Sequence, residues 1–153
     1  MISWILQFLL GLLVANTGEW FIHRYILHGW GKNPDSFWAY HLYEHHAVAR
    51  QFNMLDAGYQ QWPKSWSSQA KEGLVLVCIL TLNLPFFWWA TAYACAIYFS
   101  IAVYYFLHRR AHCQPEWAKK HLPWHYRHHL VNDNKNWCIS HPLFDLIMRT
   151  NGK

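Results

Sequence analysis

Two long stretches of the chain are free of charged residues. The first runs over residues 2 to 18, the second from Gly73 to Leu107. Each is long enough to cross the hydrocarbon of a bilayer at about 20 residues per crossing. Residues 2 to about 22 predict one spanning helix. The 35 residues from 73 to 107 barely fit two crossings, with Asn83-Leu84-Pro85 and Trp88-Trp89 near the middle. A hairpin is still expected there, turning between Leu84 and Thr91, because a single pass would leave the polar segments on either side of it on opposite faces. One arm is then expected to begin before Gly73.

The polar segments between these runs carry helix signals of their own. Gly29-Trp30-Gly31-Lys32-Asn33-Pro34 is a turn, with Asp35 or Ser36 as the cap of the next helix. Pro115 and Pro123 suit first-turn positions of two further helices. Residues 47 to 72, with Phe52, Met54, Leu55, Tyr59, Trp62 and Trp66 among polar neighbours, read as chain along a membrane surface. The fold expected is an all-α integral membrane protein. About three transmembrane helices carry a helical cap, and residues 1 to 153 form one domain.

Composition agrees. Only 14% of residues are charged while 54% are hydrophobic, a balance unlike that of a soluble domain. Trp4, Trp20, Trp30, Trp62, Trp66, Trp88 and Trp89 flank the apolar runs as an interfacial belt would. The first run has no basic stretch before it and no small-residue cleavage site after it, so a span is expected rather than a signal peptide. All 13 Lys and Arg lie in residues 24 to 72 or 109 to 153. That is the positive-inside pattern, and it places every polar segment on the cytoplasmic side. The net charge of +5 therefore does not argue for nucleic acid, and no nucleic-acid motif is present. Cys78, Cys95, Cys113 and Cys138 lack CxxC spacing and read as free thiols.

The polar segments concentrate one side chain. Ten of the 12 histidines fall into four clusters. His23 and His28 form H-x4-H; His41, His45 and His46 form H-x3-HH. His108 and His112 form H-x3-H; His125, His128 and His129 form H-x2-HH. In α-helical register His41 and His45 share a face and His46 lies about 100° round. So many imidazoles beside apolar surface point to metal, and ten suit two ions at four to six ligands each. Imidazole alone does not separate Zn, Fe, Cu and Ni. Two divalent ions in a neutral shell keep a charge of about +4, which nearby carboxylates would offset. Glu19, Glu44 and Asp133 are the candidates, with Glu19 one turn before His23 and placed to orient its ring. His121 precedes His125 by four residues and is a further outer-layer candidate; His141 lies in the tail.

The order of these clusters resembles the membrane fatty acid hydroxylase superfamily. That group takes in fatty acid 2-hydroxylases, sterol desaturases and C-4 methyl oxidases, and more distantly β-carotene hydroxylases. The resemblance runs from Glu19 to Thr150 and includes the tail Asn136-Trp137-Cys138-Ile139-Ser140-His141-Pro142-Leu143-Phe144-Asp145. Cys138 and Arg149 stand where the family's closing motif more usually has glycine. The second cluster has three residues between its first histidines, where fatty acid 2-hydroxylases usually have two. The resemblance implies two non-haem irons, O2 as oxidant, and hydroxylation or desaturation of a C–H bond in a lipid such as a fatty acyl chain. A carotenoid or sterol is the alternative substrate. It implies the ligand role for all ten clustered histidines. Zinc would replace iron readily in purified samples.

No haem motif, dinucleotide fingerprint or iron–sulfur cysteine set occurs, so a separate ferredoxin or cytochrome, with its reductase, is the expected electron donor. Arg109, Arg110, Lys119, Lys120 and Arg127 suit an acidic donor; attraction to anionic lipid explains them equally. A metal transporter or storage protein would keep its ligands near the bilayer midplane on broken helices, unlike the clusters at helix ends found here. A hydrolase using metal-activated water is the third class.

Overall fold

The computed structural model describes residues 2–63 and 65–152. Among these residues every regular element is helical and no strand occurs. Three segments are long and apolar enough to cross a membrane: Ser3–Lys32, Ser68–Trp89 and Thr91–Cys113. Helix α1 spans Ile2–Phe21. A short helix α2, Ala47–Gln51, belongs to the cap. Helix α3, Ser68–Asn83, and the one-turn α4, Phe86–Trp89, form the rising arm of the hairpin. Helix α5, Thr91–Cys113, is the returning arm. Then come α6, Pro115–His121, α7, Pro123–Leu130, and α8, Leu143–Ile147.

The hairpin turns at Ala90, whose φ of −145° and ψ of 62° break the helix, inside the expected window. The rising arm begins at Ser68, before Gly73, as the length of the uncharged run required. Ser67 caps it through Ala70 N–H. Trp88 and Trp89 stand at the turn, each 79% exposed.

Helices α1 and α5 form the tight pair. At Gly11 a Cβ would lie 2.7 Å from Ala96 Cβ and from the Tyr93 carbonyl oxygen, so the backbones approach closely only because glycine is there. Ala92, Ala94 and Ala96 are buried on α5. In lipid every polar group needs an internal partner. Thr17, Thr81 and Ser100 therefore donate their hydroxyls to the carbonyl four residues back, each at 2.8 Å. Helix α3 stands off from α1, and Tyr98 of α5 ties it with a hydroxyl donated to Leu80 O at 2.8 Å. The gap left between them is a cavity of about 590 Å³.

Two expectations need correction. Trp20 is not interfacial: it is 3% exposed and donates its indole N–H to Thr150 Oγ1 at 2.9 Å. Residues 47 to 72 do more than lie along a surface. Phe52, Trp62 and Trp66 are exposed, but Met54, Asp56 and Tyr59 are buried beneath the histidines. The backbone reason is a pair of left-handed residues, Asn53 (φ 50°) and Met54 (φ 80°), that turn the chain back under α5.

Candidate metal centre

All ten clustered histidines are buried, none more than 5% exposed. Their placement depends on a helix type the α-helical reading did not anticipate. Ile22–Leu27 and His41–His46 are π-helical turns, with i→i+5 hydrogen bonds. The bond from His28 N to His23 O, 3.0 Å, is one of them. In that register residues five apart stack. His23 therefore aligns with His28, and His41 with His46. The rings of His41 and His45 still lie 5.2 Å apart, but their ligand nitrogens fall in different groups, His41 with His46 and His45 with His108, His112 and His129.

The ring nitrogens converge in two sets. His23, His28, His41, His46 and His128 bring one ligand atom each within 4.8 Å of all the others; His45, His108, His112 and His129 do the same. Helix α7 straddles them, sending His128 to the first set and His129 to the second. His125 stands outside both sets but beside the second, its ring 4.6 Å from that of His129 and 5.1 Å from that of His108.

Which nitrogen faces the centre is settled by what the other one does. Nδ1 of His23 lies 2.5 Å from Trp137 O, Nδ1 of His128 2.7 Å from Lys135 O, and Nδ1 of His112 2.9 Å from Met54 O. A carbonyl only accepts, so each Nδ1 carries the proton and each Nε2 presents a lone pair. His108 donates from Nδ1 to Glu72 Oε1 at 2.6 Å. Burial holds His41, His45, His46, His125, His128 and His129 well below the ordinary histidine range, so these rings are neutral.

In the first set Nε2 atoms meet at 3.0 Å (His23–His41), 3.2 Å (His41–His46), 3.3 Å (His46–His28) and 3.2 Å (His28–His128). With the protons of His23 and His128 fixed on Nδ1, only His41, His46 and His28 have a proton to place. Four contacts exceed three donors, so hydrogen bonding cannot satisfy the set. A shared cation can. Imidazole nitrogens about 2.1 Å from one ion lie about 3.0 Å apart at right angles and about 3.4 Å apart at tetrahedral angles. The second set and the adjoining His125 point the same way through unpaired atoms. Among the described residues Nε2 of His112 and both ring nitrogens of His125 and His129 are buried without a partner. Each would cost about 1–3 kcal/mol if left so.

The outer layer differs from the expected one. Glu19 does not orient His23. Its carboxylate accepts from Ile139 N–H, from Ser140 N–H at 2.8 Å, and from the Ser140 hydroxyl at 2.5 Å. It therefore fastens the tail to α1. Glu44 pairs with Lys71 at 2.5 Å at the surface. Asp133 pairs with Arg50 at 2.5 Å, and Arg50 Nε donates to His129 O, so Asp133 reaches the centre only through that arginine. His121 is exposed and stacked 5.1 Å from Trp117, its Nδ1 donating to Trp117 O. His141 is exposed as well.

Two other carboxylates lie against the centre, Glu72 and Asp56, and of these only Glu72 is hydrogen-bonded to a ring. Glu72 holds His108 through one oxygen and accepts the Tyr59 hydroxyl on the other at 2.5 Å. Asp56 lies 4.0 Å from His45 Nδ1 and is held by Gly58 N–H and Gln69. Glu72 was visible in one respect: it is the last charge before the uncharged run, inside a spanning segment, where an ionisable residue is functional by default.

The tail supplies carbonyls. Buried Asp145 accepts from Trp137 N–H, Cys138 N–H and the Thr150 hydroxyl at 2.9, 2.7 and 2.6 Å. That clasp, continued to Trp20 through Thr150, aims Trp137 O at His23.

The large cavity ends against this centre. Exposed Leu9, Leu13 and Phe99 line its outer part; His23, Leu27, Tyr40, Glu72 and Tyr104 line its inner part. A second cavity of about 10 Å³ shares Leu27, Tyr40, Glu72 and Tyr104 with the first and touches His41, His45 and His108. An apolar groove thus leads from the lipid-facing surface to both histidine sets. The Fatty acid hydroxylase family model matches residues 8–150, almost the whole chain and all ten clustered histidines. The chain belongs to the fatty acid hydroxylase family. No curated protein and no solved structure matches it. As a member of that family it is a membrane hydroxylase-type protein with a histidine-rich site able to hold metal.

Proposed function

We propose that the protein is a membrane di-iron oxygenase that hydroxylates or desaturates a C–H bond of a lipid such as a fatty acyl chain, using O2 and electrons from a separate donor. The observation that carries this is the meeting of two buried sets of neutral imidazoles with the inner end of a lipid-sized apolar cavity. All ten clustered histidines serve as ligands or, in the case of His125, stand ready beside the second set. The donor set suits iron, as it does zinc, and family membership favours iron. When bound, the two irons supply the reduction of O2 and the removal of hydrogen from an unactivated carbon.

The chain's own groups do the rest. Glu72 and the carbonyls of Met54, Lys135 and Trp137 hold the rings of His108, His112, His128 and His23 with their Nε2 lone pairs inward. The walls between α1, α3 and α5 exclude water and admit a chain from the bilayer. Arg110, Lys119 and Lys120 are exposed on the cap and suit docking of an acidic ferredoxin or cytochrome. The distribution of Lys and Arg supports a cytoplasmic cap.

The test uses iron-loaded protein in nanodiscs with reduced ferredoxin, its reductase, 18O2 and a panel of acyl lipids, sterols and carotenoids. A lipid alcohol carrying label from O2, or an alkene, is the expected product, and His128→Ala abolishes it. Label arriving from water instead would make the protein a hydrolase, and equal yield from His128→Ala would overturn the site.

A further inference from the structure

Helix α8 is built inside out. Its charged residue, Asp145, is fully buried, while Leu143, Leu146, Ile147 and the following Met148 are exposed, Leu146 and Ile147 by more than half. A helix on a water-facing cap has the reverse order, because clustered aliphatic side chains are costly to leave in water. The buried carboxylate is fully used, as the clasp that accepts from Trp137, Cys138 and Thr150. The backbone that leads into the helix is satisfied by α1. Asn16 donates its amide to His141 O at 2.8 Å and accepts Phe144 N–H at 3.1 Å, and Glu19 accepts the N–H groups of Ile139 and Ser140. The exposed His141 ring accepts Leu143 N–H on Nδ1. Polar groups thus turn toward protein and aliphatic groups away from it, the arrangement that lipid imposes.

Depth points the same way. Helix α1 has 20 residues, about the number that crosses hydrocarbon. Asn16 lies about 7.5 Å inside its cap end at the α-helical rise. Phe144, bonded to Asn16, is held at that level, and Thr150, bonded to Trp20, is held about 6 Å nearer the cap. The segment between them therefore dips beside α1 and rises again. Leu13, Val14 and Phe21 of α1 are exposed at the same levels, so the aliphatic face of α8 continues the lipid-facing surface of a spanning helix. Arg149, the segment's exposed charge, comes at the shallow end, where a long side chain carries its head to the interface.

We propose that α8 and Met148 are inserted in the leaflet on the cap side, as a re-entrant segment whose exposed face is covered by lipid acyl chains. Two consequences follow from its contacts. Ser140, His141 and Leu143 line the large cavity, so the inserted tail is part of the wall between that cavity and the bilayer. Asp145 fixes the backbone of Trp137, whose carbonyl meets His23, so the bilayer braces the first histidine set from below.

The test is photocrosslinking of the full chain in phosphatidylcholine nanodiscs. The photoreactive residue p-benzoylphenylalanine is placed singly at Ile147, at Leu6 in the middle of α1, and at Lys120 on the exposed cap. After irradiation, mass spectrometry locates each adduct on the acyl chain or on the headgroup. Ile147 is expected to give acyl-chain adducts in a yield comparable with that from Leu6, and Lys120 to give none. Adducts from Ile147 confined to the headgroup, or no lipid adduct at all, would place α8 outside the hydrocarbon and overturn the proposal. In nanodiscs holding two copies, a crosslink from Ile147 to the second copy in place of lipid would overturn it as well, by making the face a protein interface.

Discussion

Glu72 Oε1 lies 2.6 Å from Nδ1 of His108, while Nε2 of the same ring lies 3.2 Å from Nε2 of His45. One carboxylate, on α3, thus decides which nitrogen of a ring on α5 faces the second histidine set. Glutamine would offer the imidazole either an acceptor or a donor and no charge. Glu72→Gln is expected to weaken metal binding at the second set by about 10- to 100-fold and to leave the first set loaded. Iron titration followed by elemental analysis reads this directly. Full occupancy of both sets in Glu72→Gln would show that the carboxylate does not govern the ring.

The division of the histidines predicts stoichiometry. His28 belongs to the set of five and His129 to the set of four. Each of His28→Ala and His129→Ala should lower iron from two equivalents to about one, and the double variant to none. If either single change empties both sets, the ions share ligands more extensively than the nitrogen positions imply.

The three spans, the hairpin and the identity of the clustered residues were legible because lipid imposes long uncharged runs and because ten clustered histidines have no structural reason to gather. The distribution of rings between the sets was not. It depends on two π-helical turns, and an α-helical wheel misplaces His45 and His46. The H-x4-H spacing of His23 and His28 was the available signal, since five-residue separation aligns only in π register. The carbonyl partners of His23, His112 and His128 were invisible for another reason. They come from backbone atoms of the tail and of residues 47 to 72, and backbone acceptors leave no mark on residue type. The role of Glu72, visible in the sequence only as an ionisable residue inside a span, became specific through its contact with His108.

Arg149 has a φ of 54°, at a position where glycine is usual in the motif its tail resembles. A non-glycine residue held in the left-handed region costs on the order of 1–2 kcal/mol, against which glycine's greater freedom in the unfolded chain takes back about 0.5–1 kcal/mol. Arg149→Gly is expected to stabilise the protein slightly, by up to about 1 kcal/mol. A rise in melting temperature in the same detergent or nanodisc would show it. A fall would mean that the arginine side chain contributes more than its backbone strain takes away.

Acid should unfold the metal-free protein early. His41, His45, His46, His125, His128 and His129 are held well below the ordinary histidine range by burial. In the unfolded chain the same rings take up protons as pH falls through about 6.5. The unfolded state therefore binds more protons than the folded one, and stability rises with pH across that window and is lost below it. Each ring contributes a slope of up to about 1.4 kcal/mol per pH unit below about 6.5, so a few rings together outweigh the few kcal/mol by which a small domain is stable. Melting temperature of the metal-free protein is expected to be level above about pH 7 and to drop steeply between about pH 6.5 and 5. Iron or zinc, binding only deprotonated imidazole, should move that drop to lower pH. A melting temperature unchanged from pH 7 to 5 would mean that the rings are solvated and protonate without unfolding.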